Sequence, residues 1–110
     1  MSNIIATAEH VRLAREHKQQ VDKENALKFL DEHWNDGFDA INKMLITHFS
    51  ADVHLTQLDE AFKGDQALLN KDGKTTNTTV LSNLYRALGF KVEYSMSSNY
   101  SNEKIFIQLE

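Results

Sequence analysis

The stretch TNTTVLSNLYRALGFKVEYSMSSNYSNEKIFIQL, Thr76 to Leu109, decides the fold. Thr76, Asn77 and Thr78 offer side-chain oxygens to the free N–H groups of a first helical turn. Val80, Leu81, Leu84, Ala87 and Leu88 then recur at three- and four-residue steps, as one apolar helix face does. Gly89 follows where a left-handed residue ends a helix. The period then changes to two. Phe90, Val92, Tyr94 and Met96 alternate with Lys91, Glu93 and Ser95, and Ile105, Ile107 and Leu109 alternate with Lys104, Phe106 and Gln108. The turn-rich run Ser97-Ser98-Asn99-Tyr100-Ser101-Asn102 joins them. This predicts a helix over Thr76–Leu88 and an antiparallel hairpin of Phe90–Met96 with Lys104–Leu109. A hairpin alone is marginal in water, so its apolar face must rest on something, and the preceding helix is the candidate.

Upstream, Ile4 to about Trp34 reads as one long helix without Gly or Pro, with a break expected near Asp22–Asn25. Ile4, Ala8, Val11, Ala14 and Val21 make a thin stripe interrupted by Lys18, too polar for a coiled coil. This part reads as a solvated helix docked along one edge, with homodimerisation through it as the alternative. Leu27, Phe29, Leu30 and Trp34 are expected to enter the core. Asn35 or Asp36 can cap a central helix, Gly37–Phe49, whose inward stripe is Phe38, Ile41, Met44, Leu45, His48 and Phe49. Ser50-Ala51-Asp52 reads as a turn and Val53-His54-Leu55 as a short extended piece. Thr56 is placed to cap a short helix, with Asp59 three residues on. Leu58, Ala61 and Phe62 face inward, and Asp65–Asn70 can add a turn that buries Leu68 and Leu69. All four glycines, at 37, 64, 73 and 89, fall at these boundaries. The expected class is α+β and mainly helical: one domain with an N-terminal helical extension over 1–34, a three-helix core and a C-terminal antiparallel β-hairpin.

The 110 residues suit a single core, and no apolar run approaches the length of a membrane span. The N-terminus lacks the basic and apolar regions of a signal peptide, and a cytoplasmic location is expected. With no cysteine there is no disulfide framework, thiolate metal site or thiol nucleophile. The net charge of −4 is uneven: residues 1–70 hold 7 Lys and Arg against 12 Asp and Glu, and residues 71–110 hold 5 against 4. Phosphate backbones repel the first part and tolerate the second.

The order helix, short strand, helix, helix, hairpin resembles a winged-helix domain over residues 37–110. Val53-His54-Leu55-Thr56-Gln57-Leu58-Asp59-Glu60-Ala61-Phe62 is similar to its strand and second helix. Thr79-Val80-Leu81-Ser82-Asn83-Leu84-Tyr85-Arg86-Ala87-Leu88-Gly89-Phe90 is similar to its third helix running into the wing. The resemblance implies a DNA-binding regulator whose third helix enters a major groove. Thr79, Ser82, Asn83 and Arg86 would then face bases, Lys74, Lys91 and Lys104 would meet phosphates, and Tyr100 would pack on a sugar. The other reading of the same residues is the solvated side of a helix and a hairpin.

Catalytic patterns are missing from the sequence. His10 and His17 are seven apart, not the three or four of a helical metal pair. Asp31-Glu32 and Asp59-Glu60 are adjacent and diverge by roughly 100° on a helix, so neither is an acid/base dyad. No serine sits in a nucleophile elbow, and Gly73 is alone in its loop. No enzymatic activity, metal or cofactor is expected. The second functional reading is an acidic protein–protein interaction module, an inhibitor or adaptor that occupies another protein's surface, with Trp34 as an aromatic anchor.

Overall fold

The computed structural model describes residues 7–95 and 103–109. Among the described residues, four α-helices and three strands follow the order α1 (Ala8–His33), α2 (Asp36–His48), β1 (Ser50–His54), α3 (Leu55–Phe62), α4 (Thr78–Ala87), β2 (Phe90–Ser95) and β3 (Lys104–Leu109). The class is α+β and mainly helical, with the long N-terminal helix present.

The hairpin forms as its period of two requires. β2 and β3 pair antiparallel from Phe90↔Leu109 to Ser95↔Lys104. The other edge of β3 also pairs with β1, from Ser50↔Gln108 to His54↔Lys104, so the sheet has the order β1-β3-β2. Ser50, Ala51 and Asp52 are therefore strand and not a turn. Ala51 and Val53 point to the core while Asp52 and His54 stay exposed, the alternation of a sheet with one wet face. Across the three strands, Ala51, Ile107 and Val92 form one buried row. The opposite face carries Asp52, Lys104, Lys91 and Glu93 around a half-buried Phe106.

The helices cover the apolar face. Phe38, Ile41, Leu55, Phe62, Leu68, Leu81, Ile105 and Ile107 are the innermost large apolar side chains. α2 starts where Asn35 Oδ1 accepts the N–H groups of Gly37 and Phe38, at 2.8 and 3.3 Å. It ends at Phe49, whose backbone is left-handed (φ 62°) and whose N–H reaches the Leu45 carbonyl. His48 and Phe49, expected inside, are exposed, because the left-handed residue turns the chain out of the helix before β1. Thr56 does not cap α3: His54 occupies the N-cap position without a side-chain bond. Leu68 and Leu69 are buried by a 3₁₀ turn at Gln66–Leu68, and the Leu69↔Thr76 bridge closes the long connection to α4.

α1 runs unbroken through Asp22–Asn25. Its residues up to Asn25 are all exposed; only Ala26 and Leu30 are buried, with Phe29 half-buried. Leu27 and Trp34, expected in the core, are about half exposed, at 51% and 48%. No helix of the described residues is long and apolar enough to cross a membrane.

Candidate functional site: the α1–α4–β2 cleft

α4 is built from its first turn. Asn77 Oδ1 accepts the Val80 N–H at 3.3 Å and is the cap. Thr76 is not: it is buried, and its N–H and hydroxyl are both taken by Asp59 Oδ1 of α3. This bond sets the height of α4 against α3. The buried residues of α4 are Leu81, Ser82, Leu84 and Tyr85. The inward face is thus turned toward Ser82 and Tyr85, away from the Val80–Ala87–Leu88 side that the apolar spacing suggests. Val80, Ala87 and Leu88 remain half-buried as a result.

Those residues form the floor of an open cleft of about 1290 Å³ between α4, the start of β2 and the middle of α1. Val80, Leu84, Ala87, Leu88 and Phe90 line it on one side, with Ala26 and Phe29 where α1 meets α4. Its charged lining is Glu16, Lys18, Asp22 and Lys23 from α1, with Arg86 and Lys91 opposite. The lining holds four cations and two carboxylates, and one of the cations, Lys91, is paired with Glu93, so the cleft carries a small positive excess in a chain of net charge −4.

The expected contact residues do not converge on one surface. Ser82 is buried and cannot read a base. Asn83 and Arg86 are exposed and line the cleft, facing α1. Arg86 Nη2 donates to the Val92 carbonyl at 3.0 Å, which ties the end of α4 to β2. Thr79 is exposed but lines a separate hollow with Asn77 and the 66–75 segment. Lys91 Nζ lies 3.3 Å from Glu93 Oε1, and Lys104 Nζ 3.3 Å from Asp52 Oδ2. Lys74 belongs to a turn in which Asp72 Oδ1 accepts the Lys74 and Thr75 N–H groups, at 2.8 and 2.9 Å. Those backbone bonds from Thr75 and Lys74, with the Thr75 hydroxyl, hold the Asp72 carboxyl below its usual range. Tyr100 lies outside the described residues.

On α1, Leu30 and Phe29 pack inward as expected, and Ala26 joins them beside the cleft. Ala26, three and four residues before Phe29 and Leu30, is the part of this face that the sequence analysis leaves out, and α4 is its partner. Among the described residues, no group of three or more His, Asp or Glu could hold a metal ion. His33 Nδ1 pairs with Asp65 Oδ2 at 2.7 Å and its ring stacks on Phe29, which pins the end of α1 to the segment after α3. No family model matches the chain, and neither a curated protein nor a solved structure matches it.

Proposed function

We propose that the chain is a non-enzymatic interaction module that receives a segment of another protein in the α1–α4–β2 cleft. The observation that carries this reading is the combination of an apolar floor, Val80, Ala87, Leu88 and Phe90, with charged walls in which Lys18, Lys23, Arg86 and Lys91 outnumber Glu16 and Asp22. An amphipathic helix with acidic residues beside its apolar face fits such a groove. The chain then acts as an adaptor or inhibitor by occupying that helix.

The test uses the full chain immobilised in a lysate of its source cells. Asn83→Trp fills the cleft from an exposed position, and Lys23→Glu with Lys91→Glu reverses its walls. Each is expected to leave the circular dichroism spectrum unchanged and to abolish capture of the protein retained by wild type. Retention unaffected by either change overturns the reading.

The second reading is a winged-helix-like DNA-binding regulator. The order α2, β1, α3, α4, hairpin favours it. Retention on DNA at low salt that is lost with Lys74→Ala, a residue outside the cleft, would select it.

A further inference from the structure

The register of the sheet shows which way each strand turns its backbone groups. The Leu55 N–H donates to the Glu103 carbonyl at 3.0 Å, one step beyond the His54↔Lys104 pair of β1 and β3. In an antiparallel ladder, successive residues turn their N–H and C=O to opposite sides. Glu103, Ile105 and Ile107 therefore bond toward β1, and Lys104, Phe106 and Gln108 toward β2. Opposite these last three lie Ser95, Glu93 and Lys91, which complete the β2–β3 ladder. Phe90, Val92 and Tyr94 are left with their backbone groups pointing out of the sheet. The Arg86 bond agrees: Arg86 belongs to no strand, and its Nη2 reaches the Val92 carbonyl at 3.0 Å.

Among the described residues, no strand pairs with this edge of β2. Lys91 and Val92 line the open cleft, with the middle of α1 on its far side. An unpaired edge is a template for a further strand, and the Val92 carbonyl keeps a second lone pair beside Arg86. The edge is also its own complement. Laid antiparallel on a second copy about Val92, the run Phe90-Lys91-Val92-Glu93-Tyr94 sets Phe90 against Tyr94, Val92 against Val92 and Lys91 against Glu93. The outward-pointing residues meet outward-pointing residues, as a ladder requires. Lys91 and Glu93 then form the pairs without mutual backbone bonds, whose side chains come closest. Both side chains are exposed and stand on the wet face of the sheet. Centring the pairing on Glu93 also closes a ladder, but it sets that carboxylate against its own copy.

We propose that β2 pairs antiparallel with β2 of a second copy about a two-fold axis at Val92, joining the two three-stranded sheets into one. Charge complementarity selects both the occupant and the register. Each Lys91 faces a Glu93 of the other copy, so a chain of net charge −4 meets itself here through opposite charges. A charge on an edge strand ordinarily discourages pairing, and in this register the two charges guide it. A contact made by one short strand buries less than the roughly 1,200 Å² of a standard interface, so the dimer is weak and concentration-dependent. The pairing rests on the edge of β2 and not on what the cleft receives.

Sedimentation velocity of the full chain, from about 10 μM to about 1 mM, a range bracketing weak association, tests this without any other protein present. The weight-average mass is expected to rise from the monomer's 12.6 kDa toward twice that value. Over the same range, exchange of the Tyr94 amide should slow. Lys91→Glu alone and Glu93→Lys alone each set like charges opposite one another twice, and each should weaken association about tenfold. The two variants mixed in equal amounts restore every opposite-charge pair and should associate as wild type does. Both variant chains stay net negative, so recovery on mixing reports the register and not a general attraction. A single chain carrying both changes is expected to recover association too. A wild-type chain monomeric throughout the range overturns the proposal. So does a dimer that both single variants keep at full strength, a mixture that fails to recover, or a dimer in which the Tyr94 amide exchanges as fast as in the monomer.

Discussion

Asp59 Oδ1 accepts two hydrogen bonds from Thr76, one from its N–H at 2.6 Å and one from its hydroxyl at 2.5 Å. The two residues are 17 positions apart, and Thr76 is 1% exposed. The pair closes the connection between α3 and α4 and so fixes where α4 enters the sheet's apolar face. Hydrogen bonds to a charged acceptor contribute roughly 1.5–3 kcal/mol each. Asp59→Ala is therefore expected to cost about 3 kcal/mol in urea unfolding, and on the order of 15 °C in melting temperature. Asp59→Asn keeps an acceptor and should cost about 1 kcal/mol. A loss below about 0.5 kcal/mol for the alanine variant would mean that α4 is positioned by packing alone.

Gly37→Ala tests the junction of α2 and α3. Gly37 sits inside the first turn of α2, and a Cβ there would lie 2.8 Å from Phe62 Cε1 and 3.0 Å from Ala61 Cβ. Phe62 is 1% exposed and its ring packs at 5.0 Å from that of Phe38, so it has no room to swing. The helix preference for Ala over Gly, about 1 kcal/mol, opposes overpacking of about 1–3 kcal/mol. A net destabilisation of about 1 kcal/mol is expected by chemical denaturation, whereas a stabilised variant would show that α3 yields.

The same glycine marks where a sequence stops being legible. Gly64, Gly73 and Gly89 have positive φ and do punctuate the chain, but Gly37 is there because α3 approaches closely, which only tertiary packing reveals. The helix over 78–87, the hairpin and the turn burying Leu68 and Leu69 follow from local periodicity, and each was readable. β1 was half readable: Ser50-Ala51-Asp52 has turn composition, and only a partner strand makes Ala51 an inward residue. The rotation of α4 that buries Ser82 was not readable, because apolar spacing centres the stripe on Leu84 and Leu88. Packing against α1 and the sheet together keeps Leu81 and Leu84 inside and adds Ser82 and Tyr85 in place of Val80, Ala87 and Leu88. The cleft exists because of that difference.

Tyr85 gives a pH signature. Burial against the sheet pushes its phenol pKa well above the ordinary value of 10.0. The folded state therefore holds the proton more tightly than the unfolded chain. This contribution is fully present below about pH 10, the unfolded value, and is lost as pH rises beyond it. Wild type should lose about 1.4 kcal/mol per pH unit above pH 10 relative to Tyr85→Phe. Matched urea titrations of the two at pH 8 and about pH 11, either side of the unfolded value, measure this. Parallel stability curves would place the Tyr85 ring in contact with water.

Two alanines of α1 should respond differently to one substitution. Both Ala14 and Ala26 are helical, so Gly costs each about 1 kcal/mol of local helix preference. Ala26 is 4% exposed where α1 docks on α4, and the cost there is borne by the whole domain. It also loses a buried methyl, for a total of about 1–2 kcal/mol of global stability. Ala14 lies in the exposed part of the helix, whose residues 7–25 bury nothing among the described contacts. An isolated helix of this length is marginal, so it opens on its own without the core. Ala14→Gly should leave the melting temperature within about 1 °C, a shift small against the 4–8 °C per kcal/mol expected of a global effect, and speed amide exchange over the first half of α1. Equal losses from the two variants would show that the exposed half of α1 is held by a contact, of a second copy or of another chain.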